Sequence, residues 1–182
     1  MIHLDQKITL KEFALTVGKI LKDAGIDAVL TGGAVVAIYT DHKYQSFDLD
    51  FITHSSLKDL EKAFEGTGFY REGRYFKHPE TEFFIDFPAP PLSVGNEPVT
   101  EFREMVSGNQ YLKLLTPTYC VMDRLAAYYH WNDPQALAQA LMVARENEID
   151  LKKIETWSRE EGMGKKYGLF VTRTREKPIS DK

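Results

Sequence analysis

The sequence predicts an α+β protein: a small mixed sheet flanked by helices over residues 1–115, a C-terminal helical bundle over 116–168, and a mobile tail over 169–182. Three observations carry this reading. Apolar residues recur at helical spacing near the start, short runs alternate apolar with polar from Asp27 to Phe87, and the pattern turns helical again at Thr116-Pro117.

Thr9-Leu-Lys-Glu12 is a capping-box pattern, and Leu10, Phe13, Ala14, Val17, Ile20 and Leu21 follow it on one helical face up to Gly25. Asp27-Ala-Val-Leu-Thr31 is a β-favouring run that stops at Gly32-Gly33, and Ala34 to Tyr39 reads as a short apolar helix. From Gln45 to Thr53 the residues alternate, so Phe47, Leu49 and Phe51 face one way while Ser46, Asp48 and Asp50 face the other. Leu57 to Phe64 is a helix closed by Gly66 and Gly68. Phe69 to Asp86 forms paired strands with turns at Gly73 and His78-Pro-Glu. In the last of these, Glu82, Phe84 and Asp86 share a face before Pro88, Pro90 and Pro91 end the pairing. Helices are then expected from Pro117 to about His130, from Pro134 to about Asn147, and after Asp150.

Composition narrows the function. The 182 residues are 43% hydrophobic and 27% charged, with 12 Gly, 8 Pro and a single cysteine, which excludes a disordered, collagenous or disulfide-stapled chain. A formal net charge of −4 is too balanced for wholesale binding of nucleic acid, so any such site must be a local patch. Cys120 has no partner in the chain, and MIHLDQKITLKEF lacks the basic and apolar segments of a signal peptide, so a cytoplasmic location is expected. No run approaches the ~18 apolar residues of a membrane span, and no membrane partner is expected.

One constellation suggests a reaction. Asp48 and Asp50, at i and i+2 of a strand, lie about 6.5–7 Å apart at Cα on one face, close enough for their carboxylates to share magnesium. Two such ions about 3.5–4 Å apart stabilise in-line phosphoryl displacement. The Gly32-Gly33 turn lets backbone N–H groups approach a triphosphate at a helix start. Arg71, Arg74, Tyr75 and Lys77 in the hairpin, and His42 and Lys43 before the aspartates, are candidate contacts to phosphate or RNA. Arg124, Lys152 and Lys153 are candidate acceptor contacts on the C-terminal helices.

These residues resemble the nucleotidyltransferase superfamily whose fold is shared with DNA polymerase beta. Its pattern is matched by Leu30-Thr-Gly32-Gly33, by Phe47-Asp48-Leu49-Asp50-Phe51 and by Ile85-Asp86-Phe87, with Ser46 in the place of the Ser or Thr found two residues before the first Asp. The nearest resemblance is to bacterial abortive-infection nucleotidyltransferases of toxin–antitoxin systems. It implies magnesium, as two ions with manganese able to substitute, held by Asp48, Asp50 and Asp86. It implies that Gly32, Gly33, Ser46 and Lys43 bind the NTP donor, and that Asp86 helps deprotonate an acceptor hydroxyl. The acceptor would be tRNA or other RNA, a protein, or a small molecule, and a cognate partner protein is expected. The alternative is a non-catalytic protein that keeps the fold to bind a nucleotide or partner. A haloacid-dehalogenase-type phosphatase would need a further acidic pair, and neither Asp-Asp nor Gly-Asp-x-x-x-Asp occurs.

Overall fold

The computed structural model describes residues 2–5 and 7–176. They form two compact units. The first holds the chain up to Leu92 and Thr100–Thr116; the second holds Ser93–Val99 and the chain from Pro117 onward. Ser93–Val99 thus groups with the C-terminal helices although the chain on both sides of it belongs to the first unit.

In the first unit, α1 (Leu10–Asp23) begins at the expected capping box: the Thr9 N–H and hydroxyl each donate to Glu12 at 2.8 Å, and the Glu12 N–H donates to Thr9 Oγ1 at 3.2 Å. Strand β1 (Ala28–Thr31) leads straight into α2 (Gly32–Tyr39), so the two glycines are the first turn of the helix itself rather than a turn before it. Strand β2 (Asp48–Thr53), helix α3 (Leu57–Phe64), and strands β3 (Tyr70–Glu72), β4 (Tyr75–Lys77) and β5 (Phe84–Asp86) follow. Both β2 and β5 are shorter than their sequence patterns. Phe47, expected on the buried face with Leu49, lies before β2 and is half exposed, and Glu82 sits in an exposed bend before β5.

Strands β8 (Phe102–Ser107) and β9 (Gln110–Leu115), which the sequence pattern does not indicate, form an antiparallel hairpin turning at Gly108, whose φ is +57°. Among the described residues the sheet order is β3-β4-β5-β2-β1-β9-β8. Strand β1 runs antiparallel to β2 and parallel to β9, and β2 runs parallel to β5. Helix α1 packs on β9 at Gly18, where any Cβ would overlap the Tyr111 carbonyl oxygen. The core joins Leu30, Leu49, Phe51, Leu112 and Leu114, all fully buried, to a run of phenylalanines. Phe64 links Phe69 at 5.0 Å and Phe76 at 4.9 Å, and Phe13 touches Phe69 and Phe83 at 5.8 and 5.6 Å.

The second unit holds α4 (Pro117–Trp131), α5 (Pro134–Glu146), α6 (Leu151–Glu160) and α7 (Gly164–Arg175), with a short hairpin of β6 (Ser93–Val94) and β7 (Glu97–Pro98). The first three helices stand where the sequence places them, with Asp133 and Asp150 as N-caps. Helix α7 was not anticipated. Residues 169–175, expected in the tail, complete it, and 177–182 lie outside the described residues. The hairpin belongs here because the Trp157 indole N–H donates to the Val94 carbonyl at 3.2 Å and the Asn96 N–H donates to Glu161 at 2.9 Å. Tyr129 stacks on Trp157 at 5.5 Å and shares a 2.9 Å hydrogen bond with Ser158. Lys166 donates to the Tyr128 and Tyr129 carbonyls and to Asn132 at 2.6–3.1 Å, closing the C-terminus of α4. Among the described residues no helix is long and apolar enough to cross a membrane.

Candidate functional site

The alternation in β2 sorts its residues into two faces. Leu49 and Phe51 are fully buried, while Asp48 and Asp50 are half-buried on the opposite face. Strand pairing then extends that face sideways. Thr31 stands opposite Asp50 on one side and Asp86 stands opposite Asp50 on the other, so Thr31, Asp50 and Asp86 form a row across β1, β2 and β5. Residues aligned in this way share a face of the sheet. Backbone register thus sets Asp86 beside Asp50, with Asp48 two residues earlier on the same strand.

The small residues around them are fitted to that row. Gly32 adopts φ +72°, and a Cβ there would come 2.5 Å from Asp50 Oδ2. A Cβ on Gly33 would stand 3.1 Å from Ser46 Oγ and 3.3 Å from Tyr44 Cε1. Ser46 is buried, and its hydroxyl donates to Asp48 Oδ1 at 2.8 Å, fixing that carboxylate's orientation. The Thr31 hydroxyl donates to the Asp50 carbonyl at 3.1 Å, and Thr31 provides no side-chain cap to the first turn of α2. Lys43 lies in the exposed loop 41–45, where its N–H donates to the Thr40 carbonyl at 3.1 Å.

Asp86 is different from its neighbours. It is only 6% exposed, and its carboxylate is held by Arg74: Nε donates to Oδ1 at 3.1 Å and Nη2 donates to Oδ2. The Phe87 N–H donates to Oδ1 as well, at 2.9 Å. Arg74 comes from the β3–β4 turn beside Gly73. Sequence reading named it only as a contact to phosphate or RNA, because pairing over the intervening hairpin is set by register that no local pattern reveals. Tyr44, against Gly33, went unnoticed too; its place two residues before Ser46 in the same loop was the available signal.

The donor chemistry of Asp48 and Asp50, two hard carboxylates on one face, fits a magnesium ion. Asp86 does not join them as it stands, because a guanidinium occupies its carboxylate. Among the described residues no group of three or more His, Cys, Asp or Glu side chains is gathered as a metal site. The other hairpin cations are neutralised in the same manner. Arg71 pairs with Glu61 at 3.0 Å, and Lys77 pairs with Glu72, whose hydrogen bond raises the lysine pKa. A cavity of about 620 Å³ opens beside this hairpin, lined by Ser55, Arg71, Arg74, Asp86, Phe87 and Pro88 among others.

Of the three cations singled out on the C-terminal helices, only Lys152 is exposed. Arg124 is engaged with Asp123 and Gln139, and Lys153 lies 4.3 Å over the Tyr119 ring, so both serve packing within the helical unit.

No family model matches the sequence, and no curated protein is similar to it. Among solved structures the chain is similar to an antigenic nucleotidyltransferase-like protein from Paracoccidioides brasiliensis, with 13% identity, 74% of each chain covered and a TM-score of 0.58. At that identity the likeness is one of fold, and the fold of this chain is nucleotidyltransferase-like.

Proposed function

We propose that the protein is a magnesium-dependent nucleotidyltransferase that moves a nucleoside monophosphate from an NTP to a hydroxyl acceptor. The observation that carries this reading is the row of Asp50 and Asp86 beside Asp48 on the adjacent strands β2 and β5, where the first residue of α2 makes room for Asp50. A nucleotidyltransferase-like fold agrees with it.

In this reading Asp48 and Asp50 hold the metal, with manganese able to substitute, and Ser46 keeps Asp48 in the ligating orientation. The metal, when bound, supplies charge neutralisation for a triphosphate and for the pyrophosphate that leaves. Gly32 and Gly33 let the N–H groups of the first turn of α2 meet phosphate oxygens, where the helix dipole favours negative charge. Lys43, on the exposed loop, offers a further cation to the triphosphate. Asp86 orients the acceptor hydroxyl and takes its proton as that oxygen attacks the α-phosphate. The acceptor is tRNA or another RNA, a protein, or a small molecule, and the system a toxin–antitoxin pair with a cognate partner protein.

A second reading is a non-catalytic nucleotide- or partner-binding protein of the same fold, and the Arg74 pairing at Asp86 is what favours it. One experiment decides. The protein is incubated with magnesium and each α-labelled NTP against total RNA, cell lysate and common metabolites. Label transferred in the wild type and absent in Asp48→Asn supports the enzyme; NTP binding with no transfer to any acceptor supports the second reading.

A further inference from the structure

We propose that Arg74 is the resident counter-cation of Asp86 and competes with a divalent metal for that carboxylate, so that the third acid joins the metal site only when Arg74 leaves it. This rests on the metal-site reading of Asp48 and Asp50.

Three features of the pair support it. The first is imbalance of burial: the Asp86 side chain is 9% exposed and that of Arg74 is 66% exposed. A carboxylate so withdrawn from water needs a cation or several donors. The arginine that satisfies it is itself mostly in solvent and loses little by departing. The second is geometry. Arg74 engages both carboxylate oxygens, one through Nε and one through Nη2. With the Phe87 N–H also on Oδ1, three of the carboxylate's roughly four lone-pair sites are taken, so a metal held by both oxygens must displace the guanidinium. The third is the support. Arg74 sits at the β3–β4 turn next to Gly73, which adopts φ +63°, and β3 is a three-residue edge strand with every residue exposed. Its side chain can leave Asp86 without disturbing the core.

Register places Asp86 beside Asp50, so the exchange happens at the edge of the carboxylate face and not at a remote ion pair. Either cation keeps the buried carboxylate neutralised. A released Arg74 remains at the mouth of the cavity it lines with Arg71 and Ser55.

The test is binding of Mn2+ alone, followed by calorimetry and by the spin-resonance signal of free manganese. It uses the full chain as wild type, Arg74→Ala, Arg74→Lys, Asp48→Asn and the double variant Arg74→Ala/Asp86→Asn. Removing a solvent-exposed charge-assisted partner should tighten Mn2+ binding about tenfold in Arg74→Ala, or add a second ion. Arg74→Lys, which keeps the charge but loses the fork, should fall between. The gain should vanish in the double variant. Thermal melting identifies any misfolded variant, in which case the Lys substitution carries the comparison. Mn2+ binding that is lost in Asp48→Asn but identical in wild type and the Arg74 variants overturns the proposal and leaves the metal-site reading intact. No Mn2+ bound by any variant overturns both.

Discussion

Gly32 leaves the space in which the Asp50 carboxylate stands: a Cβ on Gly32 would come 2.5 Å from Asp50 Oδ2, and the glycine's φ of +72° is one that other residues adopt only with strain. The start of α2 and the candidate metal ligand are therefore fitted to one another. Gly32→Ala should displace Asp50 and weaken metal-dependent NTP binding by at least about tenfold, alongside a loss of about 1–3 kcal/mol in stability. Calorimetric NTP titration of the folded variant checks this; wild-type affinity would show that Asp50 has room to move.

Asp48 and Asp50 should make NTP binding depend on metal. Titration with magnesium is expected to show binding that falls by an order of magnitude or more in chelator and in Asp48→Asn, since without a bound cation the charge of a triphosphate is repelled by nearby carboxylates. Equal affinity in the three conditions would remove the metal site.

Asp86→Asn separates binding from chemistry. Its amide keeps the Phe87 N–H contact and leaves Arg74 unpaired but mostly in water, so the fold should survive. NTP binding should persist while transfer falls by about 10²–10⁴-fold, the contribution of a general base. Glu82→Gln, in the exposed bend before β5, should be mild. If the loss appears in Glu82→Gln instead, the third carboxylate is misassigned.

The cap of α1 gives a pH signature. Hydrogen bonds from the Thr9 N–H and hydroxyl hold the Glu12 carboxyl below its ordinary value of 4.5. Its folded pKa is depressed, so the stabilisation is present above that ordinary value and is lost as pH falls through the folded pKa. The stability difference between wild type and Glu12→Gln should accordingly be constant near neutrality and shrink in acid. Thr9→Ala should cost about 1 kcal/mol at neutral pH. A difference that does not change with pH would place the Glu12 contribution elsewhere.

Cys120 is fully buried, and burial pushes its thiol pKa well above the ordinary thiol value. A thiol reagent at mild alkaline pH should leave the native protein unlabelled and react fully in denaturant. Rapid labelling of the native chain would mean that α4 opens locally.

What the sequence made legible was local. The capping box at Thr9 and the caps at Asp133 and Asp150 are written in neighbouring residues, as is the alternation that sets Asp48 and Asp50 on one face. Strands β8 and β9 were missed although Ser-Gly-Asn-Gln is a turn signal, because the consecutive pairs Arg103-Glu104 and Met105-Val106 break the two-residue alternation and β8 lies at an exposed sheet edge. Helix α7 follows Met163, which provides no side-chain cap, and its sequence is polar. The Arg74 pairing was hidden for another reason: it depends on how β3, β4 and β5 are laid side by side, which is a property of the whole hairpin and of neither residue.

Strand β9 carries a consequence for how the protein comes into being on the ribosome. Leu30 of β1, next to the glycines of the candidate site, finds its parallel partner Leu114 only near the end of the first unit. Until that late segment emerges, β1 has one side unpaired and α1 lacks the strand on which Gly18 rests. The nascent chain therefore holds its carboxylates on a half-built sheet from the completion of β5 until β9 emerges. A chain stopped before Gln110 would expose a sticky β edge, and the competence of the site is timed to the last strand of its own unit.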